Sequence, residues 1–137
     1  MFGGKGGDLE TMASGHFADL GGKTVAVVDD DIAVCDSIRA LFEVYNISVR
    51  TYQSGSDFLH ENPDVVCIII DYQMPALNGL DLVSELRKHG VTAPVIMITA
   101  ASDASIEQRA AALGVSQVLR KPLGTQVLLD AIRKEMA

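Results

Sequence analysis

An excess of positive charge is missing from this chain. Lys and Arg number 11 against 18 Asp and Glu in 137 residues, a formal net charge of −7. That balance argues against direct nucleic-acid binding by these residues. No apolar run approaches the roughly 18 consecutive residues of a membrane span. The Gly-rich polar start carries no signal-peptide core. Cysteine is scarce: Cys35 and Cys67 lie among apolar neighbours and read as buried thiols in a reducing compartment. A soluble, cytoplasmic protein with no membrane partner is therefore expected.

What is present is enough for one domain with a real core, since 48% of the residues are hydrophobic. Residues 1–22 hold seven glycines and little periodicity, and read as a flexible tail ahead of a domain at 23–137. Two phosphate-loop decoys sit near this end. Gly3-Gly4-Lys5-Gly6-Gly7 has no strand before it, and Gly22-Lys23-Thr24 is followed by a strand where a helix is needed. Neither is read as a nucleotide site.

From Thr24 onward, strands and helices alternate. Residues 24–28 are β-branched and apolar, and end in Asp29-Asp30-Asp31. Val34, Ile38, Leu41, Phe42 and Tyr45 then recur at helical spacing. Residues 47–52 read as a second strand, and Ser56 as the cap of a short helix. The run 66–71 is apolar until it meets Asp71, the pattern of a strand buried on both faces. Asn78 is expected to cap a helix closed by Gly90. A fourth strand over 95–99, a helix over 102–113 and a fifth strand over 115–120 follow. Thr125 is expected to cap a last helix carrying Val127, Leu128, Ala131 and Ile132. The result is an α/β fold, a flavodoxin-like (βα)5 doubly wound parallel sheet with strand order 2-1-3-4-5.

In such sheets, ligands bind beyond the carboxyl ends of the strands. Asp29, Asp30 and Asp71 meet at that edge. Three crowded carboxylates repel, and a hard divalent cation resolves the conflict, Mg²⁺ being suited to one or two carboxylates, waters and phosphate oxygens. Thr99 and Lys121 sit at the ends of the fourth and fifth strands on the same edge. A lysine there pairs with carboxylate or phosphate, and a threonine hydroxyl donates to a phosphoryl oxygen.

These residues carry a resemblance. Val27-Val28-Asp29-Asp30-Asp31, Ile70-Asp71-Tyr72-Gln73-Met74-Pro75 with Gly79, Ile98-Thr99-Ala100 and Lys121-Pro122 resemble the receiver domain of bacterial two-component response regulators, the CheY-like family, and most of all its FixJ-type subgroup. The resemblance covers everything but the tail. It implies that Asp71 accepts a phosphoryl group from a phosphohistidine on a histidine kinase or phosphotransfer protein. Mg²⁺ would be held by Asp30 directly, by Asp29 mainly through water, by Asp71, and by the backbone carbonyl of Gln73. Lys121 and Thr99, with Ala100 beside it, would bind the phosphoryl group, and Asp71 would be ionised because cations surround it. The protein would be a switch acting on a downstream protein target, not an enzyme beyond its own phosphorylation and dephosphorylation.

Two positions depart from the family: Gln73 stands where Asn is common, a smaller departure, and the fifth strand differs more. Where the family has Tyr or Phe three residues before the lysine, this chain has Val118, which has no ring to swing. Activation is therefore expected to pass through residues 100–103 and the helix after them. That helix and Val118 are also the candidate face for a homodimer or partner. A single-domain regulator is favoured over a receiver cut from a DNA-binding protein. Two other classes compete. A haloacid-dehalogenase-type phosphatase needs an acid two residues beyond its nucleophile, and that position is Gln73. A phosphorylation-independent pseudo-receiver, acting only by docking, would lack the acid pair, Asp71 or Lys121.

Overall fold

The computed structural model describes residues 24–100 and 103–136. Both the tail at 1–22 and the glycine motif at 3–7 lie outside the described residues, as do Lys23 and residues 101 and 102. Five strands alternate with five helices: β1 (Thr24–Val28), α1 (Ile32–Val44), β2 (Ser48–Tyr52), α2 (Gly55–Glu61), β3 (Cys67–Asp71), α3 (Gly79–Lys88), β4 (Val95–Thr99), α4 (Ala104–Ala112), β5 (Gln117–Arg120) and α5 (Thr125–Met136). The strands form one parallel sheet in the order β2-β1-β3-β4-β5, as expected.

The sheet explains why its central strands read as unbroken apolar runs. Side chains alternate between faces, and each face carries its own core. Val25, Val27, Cys67, Ile69, Ile96 and Ile98 pack on one side, against α1 and α5. Ala26, Val28, Ile68, Ile70, Val95 and Met97 pack on the other, against α2, α3 and α4. With both faces covered, every β3 residue from Cys67 to Asp71 is buried. Each fully buried aliphatic side chain there stabilises the fold by about 1.5–3 kcal/mol. Both cysteines are free and buried. Among the described residues, no helix is long and apolar enough to cross a membrane.

Several element ends move from their expected places. Ser54, not Ser56, caps α2, its side chain accepting from the Asp57 N–H at 3.0 Å. Thr125 is the first residue of α5 rather than its cap, and the Leu128 N–H already reaches the Gly124 carbonyl. Val127 is 51% exposed on that helix, and Leu129 is buried in its stead. β5 begins at Gln117, two residues later than expected, because Val115 instead closes the end of α4 by donating to the Ala110 carbonyl. Asp103 caps α4 through the Ser105 N–H. Asn78 caps α3 as expected, and Asp81 completes a capping box with it.

Candidate functional site

The strand register assembles the site. Val28 of β1 pairs with Ile70 of β3, so Asp29 emerges beside Asp71. Asp71 pairs with Ile98, and Thr99 with Arg120, which brings Thr99 and Lys121 to the same carboxyl edge. Asp29, Asp71 and Thr99 are 2%, 3% and 1% exposed, while Asp30 stands in solvent. One carboxylate oxygen from each of Asp29, Asp30 and Asp71 lies within 4.8 Å of the others. Gln73 and Ala100 are exposed at the rim.

Lys121 holds two of these acids. Its Nζ is 3.0 Å from Asp71 Oδ1 and 4.0 Å from Asp29 Oδ2. Its own N–H donates to the Thr99 carbonyl at 2.9 Å, which ties the lysine to the end of β4. The Lys121–Pro122 peptide is cis. Asp71 Oδ1 is shielded from water and lacks a well-directed hydrogen bond, the lysine reaching it as an ion pair off the ideal line. A buried carboxylate oxygen with spare acceptor capacity, in an all-oxygen set of three, fits a hard divalent cation such as Mg²⁺.

The cations around Asp71 do not act alone. Burial pushes the Asp71 carboxyl above its ordinary value, and the Asp30 charge adds to this. The Lys121 contact and the Gln73 backbone N–H oppose the rise without cancelling it. Asp29 rises from 3.8 to about 6, first through burial and then through Asp71 and Asp30, against the pull of the Asp31 N–H and Lys121. Burial works against the Lys121 ammonium, but the close contact with Asp71 and its charge, with Asp29 beside it, outweigh that and raise it. The lysine alone therefore does not supply all the positive charge this edge calls for.

Two supports escaped the sequence reading. The Asp31 N–H donates to Asp29 Oδ1 at 2.9 Å while the Asp31 carboxylate caps α1 through the Ala33 N–H. The Cys35 thiol donates to the Asp29 carbonyl at 3.3 Å. An aspartate just ahead of a helical stripe was the available signal for the first; nothing local announced the second. Below the site, the Gly79 N–H bonds the Tyr72 carbonyl at 2.9 Å. A Cβ on Gly79 would stand 2.7 Å from the Asp71 carbonyl oxygen and 2.9 Å from the Tyr72 Cα. Gly79→Ala must push α3 off the end of β3. It is expected to cost about 1–3 kcal/mol in urea unfolding, the usual range for overpacking, and an unchanged midpoint would refute the close approach.

A family model described as the response regulator receiver domain matches residues 25–133. The transcriptional regulatory protein TdiR of Thauera aromatica is 35% identical over 116 residues, 83% of this chain and 51% of its own length. The transcriptional regulatory protein FixJ of Azorhizobium caulinodans is 33% identical over 114 residues, 82% of this chain and 54% of its own. The chain thus spans about half the length of the curated relatives it matches. A solved response regulator receiver domain protein from Clostridium thermocellum superposes with a TM-score of 0.75 at 28% identity, covering 83% of this chain and 94% of that one.

Proposed function

The chain belongs to the response regulator receiver domain family, and from that premise we propose that it is a phosphoacceptor switch with Asp71 as the acceptor. The observation that carries this reading is the buried Asp71 oxygen 3.0 Å from Lys121, at the edge where Asp29 and Asp30 converge. An Asp71 oxygen attacks the phosphorus of a phosphohistidine. The P–O bond forms, the P–N bond breaks, and the imidazole leaves on the donor. The product is an acyl phosphate, one per chain, so the domain is a stoichiometric acceptor rather than an enzyme acting on a substrate pool.

Phosphoryl transfer is mostly positioning and charge neutralisation. Asp29, Asp30, Asp71 and the Gln73 carbonyl would hold Mg²⁺, which when bound supplies positive charge against the phosphoryl oxygens. Lys121 moves from pairing with the carboxylate to pairing with the phosphoryl group. Thr99, buried at the end of β4, offers its hydroxyl to a phosphoryl oxygen. A groove of about 360 Å³ between α1 and α5, lined by Val34, Ile38, Leu41, Leu123 and Leu128, opens beside Lys121. It suits the approach of a histidine kinase or phosphotransfer protein. Val118 is half-buried against the α2–α4 side of the core and has no ring to reorient, so we read activation as passing from Thr99 into α4. The output is a protein surface, in the same polypeptide or another.

Incubation with acetyl phosphate and Mg²⁺, followed by intact mass measurement, tests this. One labile phosphoryl group per chain is expected, abolished in Asp71→Asn. Continuous turnover of the donor would favour a phosphatase, and absence of an adduct a docking module.

A further inference from the structure

The guanidinium of Arg87, near the end of α3, makes four hydrogen bonds to backbone carbonyls of two other segments. Nη1 donates to Val91 O at 2.9 Å and Ala93 O at 3.1 Å, in the connection that leads into β4. Nε donates to Leu113 O at 3.0 Å and Nη2 to Gly114 O at 3.2 Å, at the C-terminal end of α4. The Leu113 and Gly114 carbonyls lie just past Ala112, where the helix offers them no N–H partner and its end carries partial negative charge. A planar fork of fixed donors satisfies both demands at once. Arg87 thus bolts the far end of α4 to the body of the domain.

The rest of α4 is held much more loosely. Ile106 and Ala110 are the side chains it buries among the described residues. Among the described residues its ion pair, Glu107 with Arg120 at 3.8 Å, has both side chains more than half exposed, and such pairs contribute little. The N-terminal end of α4 follows a few residues after Thr99 in the chain, whereas its C-terminal end carries charge-assisted hydrogen bonds.

Resting on the receiver reading above, we infer that Arg87 is the fulcrum of the switch: a positioning residue that pins the C-terminal end of α4, so that a pull at Thr99 tilts the helix rather than sliding it. A rigid helix held at one end converts a small displacement at the other into a change of angle. The surface of α4 facing β5 is then re-aimed without loss of the cap at Leu113 and Gly114.

Backbone amide exchange on the full chain, with and without acetyl phosphate plus Mg²⁺, tests this. In the parent, amides of residues 104–108 are expected to change protection on phosphorylation, while Leu113, Gly114 and Val115 do not. In Arg87→Gln the change is expected to spread to those three amides, by about tenfold or more, as local opening there ceases to be tied down. Arg87→Lys, which keeps the charge but not the fork, serves if the glutamine variant does not fold, and is expected to spread in the same way. A bolt with no part in switching would speed exchange equally in both states, and that result overturns the inference. So does a parent whose Leu113 to Val115 amides respond as strongly as residues 104–108. An intact mass taken first separates the failures: no adduct sinks the receiver reading, whereas an adduct with either pattern above sinks only the fulcrum.

Discussion

Lys121→Met is expected to slow the phosphoryl capture proposed for Asp71 by about 100-fold to 1,000-fold, the usual loss when one preorganised electrostatic partner of a reacting group is removed. Methionine keeps much of the length and apolar stem but not the charge. The ammonium sits 3.0 Å from one Asp71 oxygen and 4.0 Å from Asp29, so its loss leaves two buried carboxylates facing each other. Both then rise further from their ordinary values, since the lysine is among the influences lowering each of them. Less of the Asp71 nucleophile is ionised at neutral pH, and the pH dependence of labelling shifts upward. Stability should fall too, by less than the ~3–5 kcal/mol typical of breaking a fully buried pair, because the Lys121 side chain is 31% exposed. Time courses of adduct formation against pH, with urea unfolding alongside, check all three effects. A variant that labels at the parent's rate and with the parent's pH profile would remove Lys121 from the chemistry.

How far the sequence could be read depends on what each signal encodes. The apolar runs of β3 and β4 could mean little but strands covered on both faces, because their residues divide between two cores. The acids at their ends then had to share one edge, since parallel strands all deliver their carboxyl ends to the same side. Element ends were less legible. Ser54 and Ser56 both lie beside Gly55, and which of them caps α2 depends on backbone geometry, not composition. Val127 fits the helical stripe of α5 yet faces solvent, since a stripe three or four residues wide does not say which edge the sheet covers. The upward push on the Asp71 carboxyl was not legible, because a list of neighbouring cations omits the cost of taking a carboxylate out of water. The Arg87 fork was invisible for a related reason: its partners are all backbone carbonyls, and any residue supplies one of those.

Without divalent cation, the domain is expected to lose stability as pH rises from about 4 to about 6, opposite to the usual behaviour of paired carboxylates. The native state holds a proton on Asp29 up to about 6, whereas the unfolded chain releases it near 3.8. Between those values the native state binds more protons, so each step upward in pH favours unfolding. Below 3.8 the group costs nothing, and above about 6 the full cost is present. A rise of some two units corresponds to about 3 kcal/mol, and Asp71, also raised, acts in the same direction. Asp29→Asn removes the ionisation while leaving an oxygen for the Asp31 N–H. It should flatten the pH profile and, near pH 7 without metal, make the variant more stable than the parent by up to about 3 kcal/mol. Mg²⁺ is expected to close most of that gap, because a ligand that binds only the folded state stabilises by about 2.7 kcal/mol at a hundredfold excess over its dissociation constant. The variant, short of one carboxylate, should gain far less. Urea midpoints at pH 4, 5, 6 and 7, with and without Mg²⁺, give the comparison. A metal-free parent whose midpoint climbs over that interval, or an Asp29→Asn protein that gains as much from Mg²⁺ as the parent, would show that the three acids do not crowd one another in the way their positions require.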